Sequence, residues 1–283
     1  MTAKVIDGRK IAKNILENVA KDIKYIKSNY QIKPNITTII IGSNPESDLY
    51  LRLRDKACNE VGIISSHLNL AEDVSEQKVI DSINELNIDE KVHGIFVQFP
   101  LPKHLAIDKI INTIDPSKDV EGFTSHNMGC MLLGEEYIIP CTPLAVLKIL
   151  ENEKYDVKGK DIVIVNHSNI VGKPLTALLL NRNASVSVCH IFTKNLKQYT
   201  SNAEVLITGA GVPKLITVDL VKKDAFVIDV GIVKKEDRVC GDVDFESVKD
   251  IASKITPVPG GVGPVTVACS LENMTKTINN CID

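Results

Sequence analysis

Residues 162–182 read IVIVNHSNIVGKPLTALLLNR, and this stretch indicates the fold of the chain around it. Its four consecutive aliphatic residues, 162–165, are typical of a strand that is buried on both faces of a parallel sheet. Gly172, Lys173 and Pro174 then lead into leucines at helical spacing. A strand that turns directly into a helix presents free backbone N–H groups, which suit a phosphate or pyrophosphate. The motif alone is not specific, because the full Gly-x-Gly-x-x-Gly fingerprint is absent.

On both sides of this stretch, short aliphatic runs alternate with segments of helical periodicity. Strands are predicted at 37–42, 65–70, 94–99, 185–190, 205–209 and 226–231, and helices at 47–61, 75–86, 105–114, 142–153 and from 265 onward. Such alternation indicates parallel sheets with helices on both faces. Residues 115–141 carry no strong periodicity and are interpreted as the connection between domains. The predicted fold class is therefore α/β, with two α/β domains that contain parallel sheets, the second of them Rossmann-like.

The composition is typical of a soluble globular protein. The chain has 283 residues, of which 44% are hydrophobic and 24% charged, and its formal net charge is −3. This length supports two domains, and without a long basic run we expect no nucleic-acid partner. No apolar stretch reaches the length of a membrane span and no signal peptide is recognisable, so we expect no membrane partner. Seven scattered cysteines without a Cys-x-x-Cys pair argue against disulfides and a metal site, and favour a cytoplasmic location.

Six motifs stand in order along the chain. They are YLRLRDKA at 50–57, VQFPLP at 97–102, KDVEGF at 118–123, PCTP at 140–143, SNIVGKP at 168–174 and PVPGGVGP at 257–264. Their order and spacing resemble those of the methylenetetrahydrofolate dehydrogenase/cyclohydrolase family over nearly the whole chain. The Ser-x-x-Val-Gly-x-Pro and Pro-Gly-Gly-Val-Gly-Pro motifs are specific when they occur together.

The resemblance implies two reactions of folate one-carbon metabolism. In the first, a hydride passes from the bridging carbon of methylenetetrahydrofolate to a nicotinamide ring, and in the second, water opens the methenyl cation to 10-formyltetrahydrofolate. It also implies a folate-binding catalytic domain over residues 1–139 with the C-terminal helix 268–283, and a Rossmann-like NAD(P)-binding domain over residues 140–267. A folate cleft between the domains, NADP as cofactor with NAD possible, and a homodimer are the remaining expectations.

On the folate side, the resemblance implies catalytic roles for Tyr50, Arg54 and Gln98. The implied substrate-binding residues are Tyr50, Arg54, Val97, Gln98, Phe99, Glu121, Pro259, Gly260, Gly261, Val262 and Gly263. Glycines in the last of these segments let the backbone approach a flat ring closely.

Three departures from the family pattern lie on this side. The family has Tyr-x-x-x-Lys-x-Lys and assigns acid–base work to the first lysine, whereas this chain has Arg54 there and Lys56 after it. Tyr50 and Arg54 share a helix face, but an arginine keeps its charge and is a poor proton shuttle. Glu121 replaces the usual aspartate that holds the pterin ring, and residues 124–125 replace the usual His-Pro.

On the cofactor side, the resemblance implies binding by Asn166, His167, Ser168, Ile191 and Ile232. Asn166 replaces the usual glycine of the turn, and asparagine tolerates a left-handed backbone better than most residues. His167 and Ile191 occupy positions where many family members bind the 2′-phosphate of NADP with Arg or Ser. The preference between NADP and NAD therefore stays open.

Three alternatives remain at this point. A dehydrogenase with weak or absent cyclohydrolase activity would follow from Arg54. A non-catalytic folate- or nucleotide-binding paralogue is disfavoured because Tyr50 and Gln98 are kept. An enzyme similar to shikimate dehydrogenase would share two α/β domains, but the loop at 257–264 argues against it.

Overall fold

The computed structural model describes residues 2–42, 45–235 and 238–280, which form two compact units. One, called here the three-stranded unit, comprises residues 13–130, 135–141 and 267–283. The other, the six-stranded unit, comprises residues 1–12, 131–134 and 142–266. The sequence predicts a folate-binding domain over 1–139 with 268–283 and an NAD(P)-binding domain over 140–267. These boundaries divide the chain by function, and they stay a prediction.

The described elements alternate between helix and strand along most of the chain. The helices are α1 Gly8–Tyr30, α2 Pro45–Val61, α3 Glu76–Ile88, α4 Ile107–Thr113, α5 Ser125–Leu132, α6 Cys141–Asn152, α7 Gly172–Asn181, α8 Leu196–Thr200, α9 Phe245–Val248 and α10 Val262–Asn280. The strands are β1 Lys4–Val5, β2 Asn35–Ile41, β3 Ile64–Leu70, β4 Gly94–Val97, β5 Asp161–Val165, β6 Ser185–Cys189, β7 Val205–Thr208, β8 Phe226–Asp229, β9 Val233–Lys235, β10 Arg238–Cys240 and β11 Lys254–Ile255. A single 3₁₀ turn spans Val218–Leu220.

The three-stranded unit is built on a parallel sheet with the order β3-β2-β4. Because side chains alternate along β2, Ile36 and Ile39 point to opposite faces, and both are fully buried. The Ile36 face packs with apolar residues of α1 and α10, and the Ile39 face packs with those of α3 and α4. The sheet is therefore covered on both faces, as α/β alternation predicts.

The six-stranded unit contains a parallel sheet with the order β1-β11-β8-β7-β5-β6. From β5 the chain runs outward to β6 and then returns to the other side, where β7 and β8 follow. This reversal makes the carboxyl ends of β5 and β7 a topological switch point, the place where open α/β sheets bind ligands. The prediction of a Rossmann-like second domain is confirmed.

Several short elements were not predicted from the sequence, among them α8, α9 and the antiparallel pair of β9 and β10. Residues 115–141 contain the helix α5, whose eight residues are too few to show a clear period. The short strands β1 and β11, of two residues each, extend one edge of the six-stranded sheet. In the part of the chain that the structure describes, none of the helices has the length and apolar character needed to cross a membrane.

Candidate functional site

Arg54 is the most unusual buried residue of the three-stranded unit. It lies on α2 with none of its surface exposed, and its guanidinium carbon stands 3.8 Å from the centroid of the Phe96 ring. Its Nη2 donates a hydrogen bond to the hydroxyl of Thr38. Nε and Nη1 are buried and have no hydrogen-bond partner among the described residues. A buried cation with two unsatisfied donors is costly, and it indicates a place where a ligand supplies acceptors.

Tyr50 lies one helical turn before Arg54 and faces the same side of the sheet. Its ring stacks on that of Phe96, with a centroid separation of 6.2 Å and an interplanar angle of 29°. Burial, and then the negative charge of Glu121, raise the pKa of the Tyr50 phenol well above its usual value. The phenol therefore keeps its proton at any working pH and is able to donate a hydrogen bond.

Glu121 is the group of this cluster that titrates near neutrality. Burial raises the pKa of its carboxyl to about 7, while the charge of Arg54 and a hydrogen bond with the Cys141 thiol act in the opposite direction. The Cys141 thiol donates to the carbonyl oxygen of Val120 at 3.4 Å. Burial and the neighbouring Glu121 raise the pKa of that thiol well above its usual value, so it is not an activated nucleophile.

Asp119 shapes the turn that carries Glu121, and sequence reasoning gave it no role. Its carboxylate is buried and accepts hydrogen bonds from Gly122 N at 2.9 Å, Thr124 N at 2.8 Å and Asn127 Nδ2 at 3.0 Å. An aspartate three positions before a glycine is a turn signal, and this spacing could have identified it.

The departure at residues 124–125 has a local explanation. Ser125 begins α5, and the Thr124 hydroxyl accepts a hydrogen bond from Asn127 N at 3.4 Å. Thr124 therefore sits where a helix N-cap is favourable.

Three of the predicted residues lie at the end of β4 or directly after it: Val97, Gln98 and Phe99. Val97 is buried, and Gln98 continues the pairing with β2 through a hydrogen bond from its N–H to the oxygen of Ile39 at 2.9 Å. Gln98 follows Phe96 by two residues, so strand alternation places both on one face. Gln98 Nε2 donates to the oxygen of Phe99 at 2.9 Å, whereas its buried Oε1 has no partner among the described residues. Arg54 and Gln98 thus bring unsatisfied donors and an unsatisfied acceptor to the same face.

In the six-stranded unit, Asn166 bridges the topological switch point. It follows β5, and its Nδ2 donates to the oxygen of Gly209, which follows β7. Its Oδ1 accepts from Ser168 N at 2.7 Å and Gly172 N at 3.1 Å, which fixes the turn into α7. Asn166 is not among the described non-glycine residues that have positive φ. The expected reason for an asparagine here, a left-handed backbone, is therefore wrong, since the side chain itself ties the turn.

The predicted 2′-phosphate positions lie at the carboxyl edge of β5 and β6. The ring centroids of His167 and His190 are 4.8 Å apart, and the ring of Phe192 lies 6.0 Å from that of His190. Ile191 has 87% of its surface exposed. Ile232, after β8, is 66% exposed. These side chains form an open edge that can receive a nucleotide but offers no guanidinium for a phosphate.

Residues 259–261 form a tight turn into α10, whose first two residues are Val262 and Gly263. Gly260 has a φ of +103°, which only glycine adopts readily. A Cβ on Gly261 would lie 2.5 Å from the carbonyl oxygen of Pro257. The backbone conformation therefore depends on both glycines.

In the described part of the chain, no three His, Cys, Asp or Glu side chains are arranged to hold a metal ion. The three-stranded unit offers three groups to a ligand: the fixed cation of Arg54, the protonated phenol of Tyr50 and the carboxyl of Glu121, whose pKa is about 7. Such a set can bind a polar, planar molecule with both donors and acceptors.

Two family models match the chain. The model described as "Tetrahydrofolate dehydrogenase/cyclohydrolase, catalytic domain" matches residues 6–121. The model described as "Tetrahydrofolate dehydrogenase/cyclohydrolase, NAD(P)-binding domain" matches residues 140–281.

Individual proteins match over nearly their full lengths. The bifunctional protein FolD of Methanosarcina mazei is 48% identical, and the match covers 96% of this chain and 95% of that protein. The solved structure of the bifunctional enzyme FolD from Campylobacter jejuni is 45% identical, with a TM-score of 0.96 over 98% of this chain and 99% of the other. The Trypanosoma brucei methylenetetrahydrofolate dehydrogenase-cyclohydrolase, solved with NADP cofactor and an inhibitor, is 33% identical with a TM-score of 0.96. That match covers 100% of this chain and 99% of the other.

Proposed function

The chain belongs to the tetrahydrofolate dehydrogenase/cyclohydrolase family, and from that premise we propose that it oxidises methylenetetrahydrofolate with a nicotinamide cofactor. The methenyl product is then hydrated to 10-formyltetrahydrofolate by the cyclohydrolase activity of the same family. Both reactions belong to folate one-carbon metabolism, which supplies purine biosynthesis.

The buried guanidinium of Arg54 is the observation that carries the folate assignment. Its two unsatisfied nitrogens need acceptors, and the unsatisfied Oε1 of Gln98 needs a donor. A folate offers both kinds of group on a flat, fused ring that suits the aromatic surroundings of Tyr50 and Phe96. By resemblance to the aspartate that the family has at this position, we assign to the Glu121 carboxylate the hydrogen bonds from the amino group and ring nitrogen of the pterin.

The cofactor fits the carboxyl edge of the six-stranded sheet. Asn166 ties both sides of the switch point, and the exposed rim around His167, Ile191 and Ile232 leaves room for a dinucleotide. When bound, the nicotinamide accepts the hydride, and the chain supplies orientation and the exclusion of competing reactions. With no arginine at the phosphate positions, both NADP and NAD are candidate cofactors.

A second candidate function is a dehydrogenase whose cyclohydrolase step is weak, and Arg54 itself favours it. Hydration of the methenyl carbon requires a proton to be taken from water and another to reach a ring nitrogen. General acid–base assistance of this kind contributes a factor of roughly 10²–10⁴. A fully buried arginine gives up no proton readily, and its charge opposes a cationic substrate. Hydride transfer needs only positioning, which a fixed cation can provide.

Assembly and location complete the proposal. We propose a homodimer, because members of this family are usually dimers, and a cytoplasmic location, because the scattered cysteines suit a reduced compartment. The formal net charge of −3 and the absence of a long basic run support small molecules, rather than nucleic acid, as its partners.

The experiment is to follow both partial reactions with the purified protein, each with NADP and with NAD. We expect reduction of the cofactor that depends on methylenetetrahydrofolate, and a slower opening of methenyltetrahydrofolate. A protein that binds folate but reduces neither cofactor would instead be a non-catalytic paralogue.

A further inference from the structure

Two buried aspartates lie together at the carboxyl edge of the six-stranded sheet. Asp229 is the last residue of β8, and its register partner is Thr208, the last residue of β7. Asp242 follows β10 and is fully buried, while Asp229 is 3% exposed. Their described hydrogen-bond partners are backbone N–H groups and one hydroxyl, with no lysine or arginine among them.

Asp242 holds the loop that follows β7. Its Oδ2 accepts from Thr208 Oγ1 at 2.9 Å and from Ala210 N at 2.5 Å, and its Oδ1 accepts from Val212 N at 2.9 Å. Three donors from five consecutive residues converge on one carboxylate. The path of residues 209–212 is therefore set by this side chain.

Asp229 holds the loop that follows β8 and, with it, the backbone of Asp242. It accepts from Gly231 N at 2.9 Å, Asp242 N at 3.2 Å and Val243 N at 2.9 Å. A Cβ on Gly231 would lie 2.4 Å from Asp242 Oδ1, so this loop packs directly on the second carboxylate. The two aspartates thus link the loops at 209–212 and 230–232 into one unit.

This arrangement of two buried carboxylates lowers the free energy of unfolding. Two buried carboxylates without a cation repel one another, and burial, together with the charge of Asp242, raises the pKa of Asp229 to about 6 against the effect of its hydrogen bonds. Both linked loops follow adjacent parallel strands at the edge where α/β sheets bind ligands. Because the buried pair does not stabilise the fold, its presence at this edge is better explained by a loop shape that ligand binding requires.

We propose that Asp229 and Asp242 are positioning residues for the nicotinamide dinucleotide. By tying residues 209–212 to residues 230–232, they set the shape of the edge that receives the nicotinamide end of the cofactor. The proposal rests on the proposed function, since it takes the ligand of this edge to be NAD(P).

The test compares Asp242→Asn with Asp119→Asn. Both substitutions keep the size of a buried carboxylate that accepts three hydrogen bonds, but Asp119 shapes the Glu121 turn of the three-stranded unit. We expect Asp242→Asn to raise the KM for the cofactor about tenfold or more and the KM for folate less than threefold, since a lost charge-assisted bond changes affinity on that scale. Asp119→Asn should show the reverse pattern. Equal changes in both KM values for Asp242→Asn would overturn the proposal.

A second variant and a binding measurement cover the case in which Asp242→Asn folds poorly. Thr208→Val removes one donor and leaves the loop amides in place, so a smaller rise in the cofactor KM is expected. The chain has no tryptophan, so the fluorescence of bound NADPH reports cofactor affinity without folate turnover. If wild-type protein binds NADPH but oxidises no folate, the proposed function fails while the NADPH affinities of the variants still decide this inference. Unchanged NADPH affinity with a lowered melting temperature would assign the pair a structural role only.

Discussion

The two regions that depart from the family pattern differ in their surroundings. Arg54 and Glu121 lie within the three-stranded unit, where Arg54 is fully buried and its charge acts on the carboxyl of Glu121. Ile191 lies at the edge of the six-stranded unit with 87% of its surface exposed. A substitution in the buried cluster changes the protonation and hydrogen bonding of its neighbours, whereas one on the open rim changes only which ligand is preferred. The buried departures should therefore have the larger and more selective effects.

Glu121→Gln should have the largest effect on substrate affinity. It removes the carboxylate proposed to accept two hydrogen bonds from the pterin, each worth roughly 1.5–3 kcal/mol, so the folate KM should rise about a hundredfold or more. The cofactor KM should stay within threefold. Steady-state kinetics with each substrate varied in turn measures both. Glu60→Gln, at an exposed position of α2, is the matched control.

If Glu121→Gln and Glu60→Gln change the folate KM equally little, the carboxylate of Glu121 does not hold the pterin. The contrast between the buried and the open region would then lose its main support.

Ile191→Arg tests the open rim. An added guanidinium can form a charge-assisted hydrogen bond to the 2′-phosphate, which contributes roughly 1.5–3 kcal/mol and so a tenfold to hundredfold gain in preference for NADP over NAD. The ratio of kcat/KM for the two cofactors measures this, and folate kinetics should be unchanged. A wild-type preference for NADP of a thousandfold would mean that another cation already binds the phosphate.

The pH dependence of folate binding should follow Glu121. Because burial raises the pKa of this carboxyl to about 7, it is ionised above that pH, and the folate KM should rise about tenfold for each pH unit below it. Stability should change in the opposite sense. The folded-state pKa exceeds the ordinary value of 4.5, so this group's contribution to the free energy of unfolding is full below about pH 4.5 and is lost as the pH rises through about 7.

Both trends should disappear in Glu121→Gln, which cannot titrate. A folate KM that rises equally below pH 7 in the variant would assign the dependence to another group or to the substrate.

Gly261→Ala should have the smallest effect of the set. The added methyl would crowd the oxygen of Pro257 at 2.5 Å, so the turn must shift and the folate KM should rise several-fold more than the cofactor KM. Gly129→Ala, where no atom lies within 4 Å of the added carbon, is the control. Equal effects on both KM values would remove residues 259–263 from the predicted folate-binding set.

Sequence patterns predicted the longer helices and most of the buried parallel strands, together with the residues that resemble family motifs. The apolar run of β5 and the leucines of α7 predicted the strand, the turn and the helix, because hydrophobic periodicity is a local signal. The roles of Asp119, Asp229 and Asp242 could not be predicted in the same way. The partners of Asp229 and Asp242 include backbone amides that only the folded chain brings near, across as many as 32 positions for Asp242.

For Arg54, the sequence predicted the position of the residue but not its environment. Its identity and its helix face could be read from the sequence, but its complete burial and its two unsatisfied nitrogens could not. Burial decides its chemistry, since an exposed arginine would be an ordinary solvated charge.

The ratio of cyclohydrolase to dehydrogenase turnover, measured in wild-type protein and in Arg54→Lys, tests most directly whether Arg54 separates the two activities. Arg52→Lys, at an exposed position of the same helix, controls for the exchange of one cation for another. We expect a low ratio in the wild type and a rise toward the factor of roughly 10²–10⁴ that acid–base assistance supplies in Arg54→Lys, with the dehydrogenase rate changed much less. A wild-type cyclohydrolase rate equal to or above the dehydrogenase rate would contradict this, and Glu121, with its pKa of about 7, would then be the first group to test as the proton carrier.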